Sequence, residues 1–414
     1  MAIIKVQKGT KDILPSEMSV WHFMEEKANK VFSSYGAKEI RTPIFEATEL
    51  FARGVGDTTD IVNKEMYTFE KSERSLTLRP ENTAGVVRSF IENGMHRLSA
   101  PVKLWYKGPM FRYERPQAGR QRQFHQVGVE VFGIKQATAD AEVILMAVNY
   151  LKELGLNDLS VELNSLGCPQ CRETFKTKLK EVIKPYLSEL CPDCQARYEK
   201  NPLRLLDCKV DECKNIYAKQ EIQNIIQSDF ICEECSIHFT ELKQYLDNLN
   251  INYSINKLLV RGLDYYNRTV FEIKSNNLGS QNAVCGGGRY DSLVKNLGGE
   301  DTPAIGFAMG MERLASLIGD KEQEKILGFI VSNNTMEALN LAEKLRANNI
   351  PCEFDLTNKK FVKQLEKASK VAKFALILGE DEINQNTVTV KNLETSEQVS
   401  ITNANIVEYL QQRN

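Results

Sequence analysis

The sequence lacks several features that would assign the protein to a familiar class. No run of 18 apolar residues occurs among its 414 residues, so no transmembrane helix is predicted. The N-terminus, MAIIKVQKGTKD, has no apolar core of signal-peptide length, and we expect a cytoplasmic protein with no membrane partner. The net charge is only −2, so a nucleic-acid partner would have to bind local basic patches.

The common nucleotide-binding motifs are also missing. The sequence contains neither a GxxxxGK[ST] loop nor a GxGxxG loop that follows a strand. The composition still supports folded domains, because 42% of the residues are hydrophobic and 26% are charged. A chain of 414 residues suggests two or three domains. Because both loop motifs are missing, any nucleotide would be held on an antiparallel sheet.

The hydrophobic pattern divides the chain into three regions. Residues 1–320 contain hairpins and strand–helix pairs, which predicts an α+β domain built on a mainly antiparallel sheet flanked by helices. Within it, residues 171–252 are helical, charged and rich in cysteine, as expected of an insertion. After the polar linker DKEQEK (320–325), residues 326–414 alternate strand and helix and predict a small α/β domain.

A basic hairpin is predicted at residues 103–133, where two strands are joined by the turn RPQAGR. Between residues 103 and 126, six lysines and arginines face the single acid Glu114, which gives a local charge of six minus one, or +5. A solvated face is the ordinary explanation for such a run. In the second strand, Gln126 and Glu130 share the face opposite three valines, so they would address the two ends of one small ligand.

Three arginines lie in strand or glycine-rich settings. In KLLVRGLDYYNRTVFEIK (257–274), Arg261 stands among residues expected in buried strands, such as Val260 and Val270, and a buried arginine needs an anion. Arg112 lies in the basic hairpin, and Arg313 follows a glycine-rich strand in the first turns of a helix. One arginine can bind two phosphate oxygens at once, so the three arginines predict a polyphosphate ligand. The glycines of AVCGGGRYD (283–291) would let that ligand approach the backbone.

Eight of the ten cysteines lie between residues 168 and 235. They are Cys168, Cys171, Cys191, Cys194, Cys208, Cys213, Cys232 and Cys235. Disulfides are not expected in a chain without an export signal. The Cys-x-x-Cys spacing fits zinc, and eight thiolates would complete two tetrahedral sites. Reduced thiols in a helical insert are the alternative, and the sequence leaves the choice open.

Several segments together resemble the bacterial histidyl-tRNA synthetases, a family of class II aminoacyl-tRNA synthetases. FRYERPQAGRQRQFHQVGVEVFG is similar to motif 2 of that class, GFAMGMERL to motif 3, and RTPIFE with Pro43 to the dimer-forming motif 1. VRGLDYYNRTVFE and AVCGGGRYD resemble the two signatures particular to the family. The resemblance covers nearly the whole chain and implies a class II catalytic domain at 1–320 and an anticodon-binding domain at 326–414.

The resemblance also implies an activity and residue roles. It predicts a homodimer that activates L-histidine with ATP and Mg²⁺ and transfers it to tRNA(His). Arg261 and Arg112 would be catalytic at the α-phosphate of ATP, with Arg261 replacing a metal. The implied histidine-binding residues are Glu81, Asn82, Thr83, Arg112, Gln126, Glu130, Arg261, Tyr265 and Tyr266. The implied ATP-binding residues are Arg112, Arg120, Arg261 and Arg313, and no side chain of this site is assigned to a metal.

Two further interpretations remain. The histidine-binding regulatory subunit of ATP phosphoribosyltransferase shares the fold but typically lacks the anticodon-binding domain and an intact arginine signature. Both features are present here, in residues 326–414 and Arg261, which favours the enzyme. A purely structural RNA-binding module would leave the pocket expected around Glu130 and Tyr266 without a purpose.

Overall fold

The computed structural model describes residues 3–56, 59–116, 119–228, 230–275, 283–319, 321 and 325–413. The chain divides into two compact units, Met1–Lys321 and Glu322–Asn414. The division lies within the polar linker predicted at 320–325. Among the described residues, no helix is long and apolar enough to cross a membrane.

An eight-stranded sheet forms the larger unit, in the order β1-β5-β6-β11-β10-β9-β7-β8. Its middle pairs, from β5/β6 to β9/β7, are all antiparallel, whereas β1/β5 and β7/β8 at the edges are parallel. A separate three-stranded antiparallel sheet has the order β2-β4-β3. The strands are β1 Lys38–Glu39, β2 Phe45–Ala47, β3 Tyr67–Lys71, β4 Arg74–Leu78, β5 Val102–Phe111, β6 Gln123–Phe132, β7 Leu159–Ser165, β8 Tyr253–Ile255, β9 Asn267–Ser275, β10 Ala283–Arg289 and β11 Ala304–Gly310.

Helices flank this sheet and form the insertion. They are α1 Met18–Ser34, α2 Thr48–Val55, α3 Thr83–Glu92, α4 Ala137–Glu153, α5 Pro169–Ile183, α6 Pro192–Lys200, α7 Asp211–Tyr217, α8 Gln220–Gln227, α9 Glu233–Asn248, α10 Leu293–Asn296 and α11 Met311–Ile318. Short 3-10 segments occur at Met95–Arg97, Lys184–Glu189 and Pro202–Asp207, with a π-helical turn at Ile61–Glu65. The predicted α+β architecture, with a mainly antiparallel sheet flanked by helices, is confirmed.

The alternation predicted for strand β6 determines which face of the sheet can hold a ligand. Val127, Val129 and Val131 are buried in the large core that α1 and α4 complete. Gln126 and Glu130 therefore lie on the opposite face, because side chains alternate along a strand. On that face Gly128 faces Ala308 of β11, and Gly306 of β11 faces Glu130. Small residues keep this side of the sheet open.

One strand prediction is wrong. Residues 258–266 were expected to begin a buried strand, but β9 starts only at Asn267, and Val260 is half-buried in an irregular segment. Leu259, Tyr265 and Tyr266 are nevertheless buried in a hydrophobic cluster. The apolar content of the segment thus reflects a loop that packs inward, and Arg261 lies on this loop rather than within the sheet.

The segment that contains Pro43 is interrupted at the proline. KEIRTPIFE forms β1 at the edge of the large sheet and β2 in the three-stranded sheet, with Pro43 between them. Proline cannot donate a hydrogen bond to a neighbouring strand, which explains the break. Ile44 and Phe45 beside it are 44% and 52% exposed, so this motif presents apolar surface outside the core.

The insertion between β7 and β8 consists of the five helices α5 to α9. It has a hydrophobic core of its own, which includes Leu179, Ile183, Leu205, Ile222 and Ile226. Helix α9 returns to the main unit and packs on α4. The insertion is therefore a small folded module joined to the sheet at both ends.

The smaller unit contains a five-stranded sheet in the order β13-β12-β14-β15-β16, parallel across β13, β12 and β14 and antiparallel beyond. Its elements are β12 Ile326–Ser332, α12 Thr335–Arg346, β13 Cys352–Phe354, α13 Phe361–Val371, β14 Ala372–Leu378, α14 Glu380–Gln385, β15 Thr387–Asn392, β16 Gln398–Thr402 and α15 Ile406–Gln411. The C-terminal α/β domain predicted from the alternating pattern is confirmed.

A buried ion-pair network links β10 to the helices of the larger unit. Arg289 Nε lies 2.8 Å and Nη2 2.7 Å from the carboxylate of Asp140 in α4. His238 of α9 contacts the same carboxylate at 3.2 Å. Burial opposes ionisation of Asp140, but Arg289 and His238 outweigh it and lower the pKa of the carboxyl. The ionised Asp140 carboxylate thus links strand β10, helix α4 and helix α9 of the insertion.

We predict that Asp140→Asn destabilises the full chain by about 3–5 kcal/mol, because it removes the buried counter-ion of Arg289 and leaves only the partly exposed Asp291. Urea unfolding of the full chain measures the loss. The control is Asp301→Asn at an exposed position of the same unit, which should change stability by less than about 0.5 kcal/mol. A loss below about 1 kcal/mol for Asp140→Asn would show that the pair is not a structural link.

Candidate functional site

A cavity of about 490 Å³ opens on the ligand-holding face of the sheet. Nine of the residues predicted for the site line it, namely Glu81, Thr83, Arg112, Arg120, Gln126, Arg261, Tyr265, Tyr266 and Arg313. A second cavity of about 300 Å³ shares the four arginines and Gln126 with the first. The two form one elongated site, with one part bordered by tyrosines and the other by Phe124 and Glu114.

Arg261 lies on the floor shared by both cavities. Its guanidinium pairs with the carboxylate of Glu272 in β9 through Nη1. A Cβ on Gly286 would overlap this guanidinium, so only glycine leaves room for it on β10. Burial lowers the pKa of Arg261, but the neighbouring Glu272 outweighs burial and the net pKa is raised. The group is therefore a fixed cation.

Arg289 and Arg261 differ in how many of their guanidinium nitrogens donate hydrogen bonds to the protein. All three nitrogens of Arg289 donate to protein acceptors, which are Asp140, Asp291 and the carbonyls of residues 134 and 136. Arg261 Nε is buried and has no hydrogen-bond partner among the described residues. A buried donor without an acceptor is costly. Arg289 is thus a structural arginine, whereas Arg261 has donor capacity for a ligand.

The other three arginines line the cavity with fewer constraints. Arg112 Nε donates to the carbonyl oxygen of Pro80 at 2.8 Å, and its guanidinium lies 5.3 Å from the centre of the Phe124 ring. Arg313 donates to the carbonyl of Ala283. Burial and then the nearby Arg120 lower the pKa of Arg313. Two guanidinium groups this close repel each other, and an anion between them would relieve the repulsion.

Glu81, Thr83 and Glu130 form a connected network at the tyrosine-bordered part. The Glu81 carboxylate accepts the backbone N–H groups of Thr83 and Ala84, at 2.7 and 2.9 Å, and so caps helix α3. The Thr83 hydroxyl donates to Glu130 at 2.7 Å. Burial raises the pKa of Glu81, so its charge depends on the hydrogen bonds that it accepts. The network fixes the start of α3 against β6.

Glu130 lies one hydrogen bond behind the cavity wall. It is 1% exposed and accepts hydrogen bonds from Thr83, Tyr106 and Tyr290. Burial, the largest effect, raises its pKa to about 8 against the hydrogen bonds from Tyr290 and Thr83. A Cβ on Gly306 would overlap its carboxylate. The predicted residue is thus close to the site, but it does not line the cavity.

Two buried tyrosines close this part of the site. The rings of Tyr265 and Tyr266 lie 4.6 Å apart, and Tyr290 packs edge-on against Tyr265 at 5.5 Å. Burial raises the pKa of Tyr266 to about 12, so its hydroxyl keeps its proton at neutral pH. The wall therefore combines apolar rings with hydroxyl groups.

Some predicted features lie away from the cavity. The Asn82 side chain accepts hydrogen bonds from Thr42 at 2.6 Å and Arg79 at 3.2 Å, and it does not line the cavity. Lys103 and Lys107 of the basic run pair with glutamates of α4 and α1. The basic hairpin therefore divides, with the two lysines paired to the helices and Arg112 and Arg120 turned to the cavity. Residues 117–118 of its turn lie outside the described residues.

Sequence reasoning missed several contributors. The alternation of Glu272 with Phe271 and Ile273 along β9 predicts that Glu272 lies on a polar face of the strand. It does not predict that Glu272 pairs with Arg261. Phe124 gave no signal beyond its place in the hairpin. Tyr106 and Tyr290 read as core residues, and only their contacts with Glu130 connect them to the site.

Comparison with known proteins decides the family. A family model described as histidyl-tRNA synthetase matches residues 9–170 and 214–314, and an anticodon-binding domain model matches residues 318–413. The histidine–tRNA ligase of Desulfitobacterium hafniense is 49% identical over 408 residues, covering 96% of this chain and 95% of the relative. The chain belongs to the histidyl-tRNA synthetase family.

Solved structures agree with membership in the histidyl-tRNA synthetase family. The apo histidyl-tRNA synthetase of S. aureus is 37% identical, with a TM-score of 0.82 over 99% of this chain and all of that chain. A Bacillus halodurans protein titled as an ATP phosphoribosyltransferase regulatory subunit/histidyl-tRNA synthetase has a TM-score of 0.66 at 22% identity over 92% of this chain and 99% of its own. At that identity the second match shows the shared fold alone.

We predict that Glu130→Gln changes how stability depends on pH. Since the folded-state pKa of Glu130 lies above its ordinary value, its contribution to stability is present at acidic pH and is lost as the pH rises through about 8. The melting temperature of Glu130→Gln relative to wild type should therefore rise between pH 6 and pH 9. Glu300→Gln at an exposed position is the control. An unchanged difference between the two pH values would mean that folding does not raise the pKa of Glu130.

Proposed function

We propose that this chain is a histidine–tRNA ligase. It activates L-histidine with ATP to give histidyl-adenylate and pyrophosphate, and then transfers the histidyl group to the terminal adenosine hydroxyl of tRNA(His), releasing AMP. Family membership and the histidine–tRNA ligases at 46–49% identity over nearly the full chain support this reaction. In the first step a carboxylate oxygen of histidine bonds to the α-phosphorus as the bond to pyrophosphate breaks.

The four arginines shared by the two cavities carry the proposal. Two anions, a carboxylate and a polyphosphate, must meet for adenylate formation, and fixed cations stabilise the charge that develops between them. Arg261 and Arg112, like Arg120 and Arg313, line both the tyrosine-bordered part and the remainder of the site. We assign both to the α-phosphate and Arg261 also to the histidine carboxylate.

The α-amino group of histidine needs acceptors, and the tyrosine-bordered part offers them. Glu81 supplies a carboxylate whose two oxygens each accept one backbone hydrogen bond, which leaves further lone pairs. The Gln126 Oε1 atom is buried and has no hydrogen-bond partner among the described residues. We assign the ammonium group to Glu81 and Gln126, with the Thr83 hydroxyl beside them.

The imidazole is assigned to the wall formed by Tyr265, Tyr266 and the Glu130 network. The rings offer apolar faces, and Tyr266 offers a protonated hydroxyl. Glu130 sets the direction in which the hydroxyls of Thr83 and Tyr290 point, because both donate to it. A ring N–H of histidine would take the place of one of these donors. Asn82, which is bonded to Thr42 and Arg79, is assigned a structural role.

ATP is assigned to the part that contains Phe124. This ring is the aromatic side chain lining the second cavity within the described residues, and the Arg112 guanidinium already lies over one face. Arg120 and Arg313 are assigned to the outer phosphates. Mg²⁺ would accompany ATP through its phosphate oxygens. The carboxylates of Glu114 and Glu272 line this cavity and are the side chains suited to that ion, although each already has an arginine neighbour.

The partners follow from other parts of the chain. The domain matched at residues 318–413 is an anticodon-binding domain, so tRNA(His) is the expected RNA partner. We assign the exposed apolar residues Ile44 and Phe45 of motif 1 to a homodimer contact. The regulatory-subunit alternative has less support, because this chain has the anticodon-binding domain and Arg261.

We predict that Arg261→Ala lowers histidine-dependent ATP–pyrophosphate exchange by about two to three orders of magnitude, the cost of removing a fixed donor to the transition state. Charging of tRNA(His) should fall with it. The matched control is Arg53→Ala, whose side chain is 61% exposed and pairs with Glu49 on the same helix. A folded Arg261→Ala protein with wild-type exchange would refute the assignment. Wild-type protein without histidine-dependent exchange would refute the function itself.

A further inference from the structure

We propose that the cysteine-bearing insertion holds two structural zinc ions. The eight cysteines that the sequence groups loosely are gathered into two sets of four, and within each set all sulfur atoms lie within 4.8 Å of one another. Site A is formed by Cys168, Cys171, Cys232 and Cys235. Site B is formed by Cys191, Cys194, Cys208 and Cys213. Neither site belongs to the histidine and ATP cavity.

The spacing of the sulfurs matches tetrahedral zinc. Four sulfurs about 2.3 Å from one zinc ion stand about 3.8 Å from each other. The sulfurs of Cys168 and Cys171 are 3.5 Å apart, and those of Cys191 and Cys208 are 3.9 Å apart. A disulfide would need about 2.05 Å, and the cysteines are free. In an iron–sulfur cluster the four cysteine sulfurs are divided among two or four irons, so the set of four would be more widely separated.

The backbone around the cysteines favours thiolates. Cys168, Cys191 and Cys232 each stand immediately before a helix, α5, α6 and α9. The backbone N–H groups of Cys168 and Cys232 donate crosswise to the sulfurs of Cys235 and Cys171, at 3.2 and 3.1 Å. In site B the N–H of Cys191 donates to Cys213 at 3.3 Å. Helix N-termini and N–H donors stabilise the ionised sulfur that zinc requires.

Packed, reduced thiols are the competing explanation. Cys194, Cys208 and Cys213 do lie in the apolar core of the insertion. Hydrophobic packing, however, requires no convergence of four sulfurs on one point, and here it happens twice. In site A the pairs come from segments more than 60 residues apart, which only the fold brings together. Soft thiolates in a tetrahedral set of four select zinc.

The insertion that carries these sites also holds the loop of Arg261. Arg172, next to Cys171, donates to the backbone oxygen of Tyr266 at 2.8 Å. Arg204, between Cys194 and Cys208, donates to the backbone oxygen of Gly262 at 2.8 Å. Both contacts fix the irregular segment 261–266 from outside. Zinc at sites A and B would thus keep that segment in place, a consequence for catalysis that rests on the proposed function.

The test is zinc content of the full chain purified without chelators. We expect two zinc ions per chain in wild type, one in Cys171→Ser/Cys235→Ser, one in Cys194→Ser/Cys213→Ser, and two in the control Cys352→Ser. Cys352 is also buried, but it lies in the smaller unit. Less than one zinc per wild-type chain, or iron with sulfide in its place, would overturn the proposal.

A measurement on wild type avoids the risk that a variant fails to fold. Titration with an organomercurial in the presence of a zinc indicator should release one zinc for every four cluster thiols. Thiols that react without zinc release would contradict both sites. Hydrogen exchange of segment 261–266 should become about tenfold faster or more once zinc is removed. Unchanged exchange would refute the link to the loop. Neither measurement uses histidine, ATP or tRNA, so their failure is separate from failure of the proposed function.

Discussion

The placement of one guanidinium group, that of Arg261, constrains much of the larger unit. Arg261 lies on a loop and not on a strand, so the hydrogen bonds of the sheet do not position its own backbone. Glu272 holds it from β9, and Gly286 on β10 leaves the space that it occupies. A buried cation is tolerated only with an acceptor nearby. Its unmet Nε donor and its position on the floor shared by both cavities make it the point toward which the site is organised.

Other features of the fold serve the same placement. Glycines on β6, β10 and β11 leave the space that the side chains of Tyr106, Arg261 and Glu130 occupy, while the valines of β6 build the core on the other face. The insertion contributes Arg172 and Arg204, which hold the backbone of the loop at Tyr266 and Gly262. The helical insertion, whose helices lie outside the sheet, thus contacts the loop that carries Arg261. The position of Arg261 therefore depends on the stability of the insertion, with or without metal.

Local sequence patterns predicted the features of the site that depend on neighbouring residues in one strand. The alternation in β6 placed Gln126 and Glu130 on the ligand face, whereas most of the nine predicted residues that line one cavity came from the resemblance to the synthetase family. Segment 258–266 was mistaken for a strand, because residues that pack inward from a loop carry the same apolar composition as a strand. The pairing of Glu272 with Arg261 and of Cys168 with Cys235 depends on tertiary contacts between distant segments, which spacing along one sequence does not specify.

The most direct test of this account is Gly286→Ala, assayed by histidine-dependent ATP–pyrophosphate exchange alone and together with Arg261→Ala. The added methyl group would displace the guanidinium, so the single variant should lose much of the activity, and the double variant should be no worse than Arg261→Ala. Wild-type exchange by Gly286→Ala, or fully additive losses in the double variant, would contradict the claim that this glycine seats the catalytic arginine.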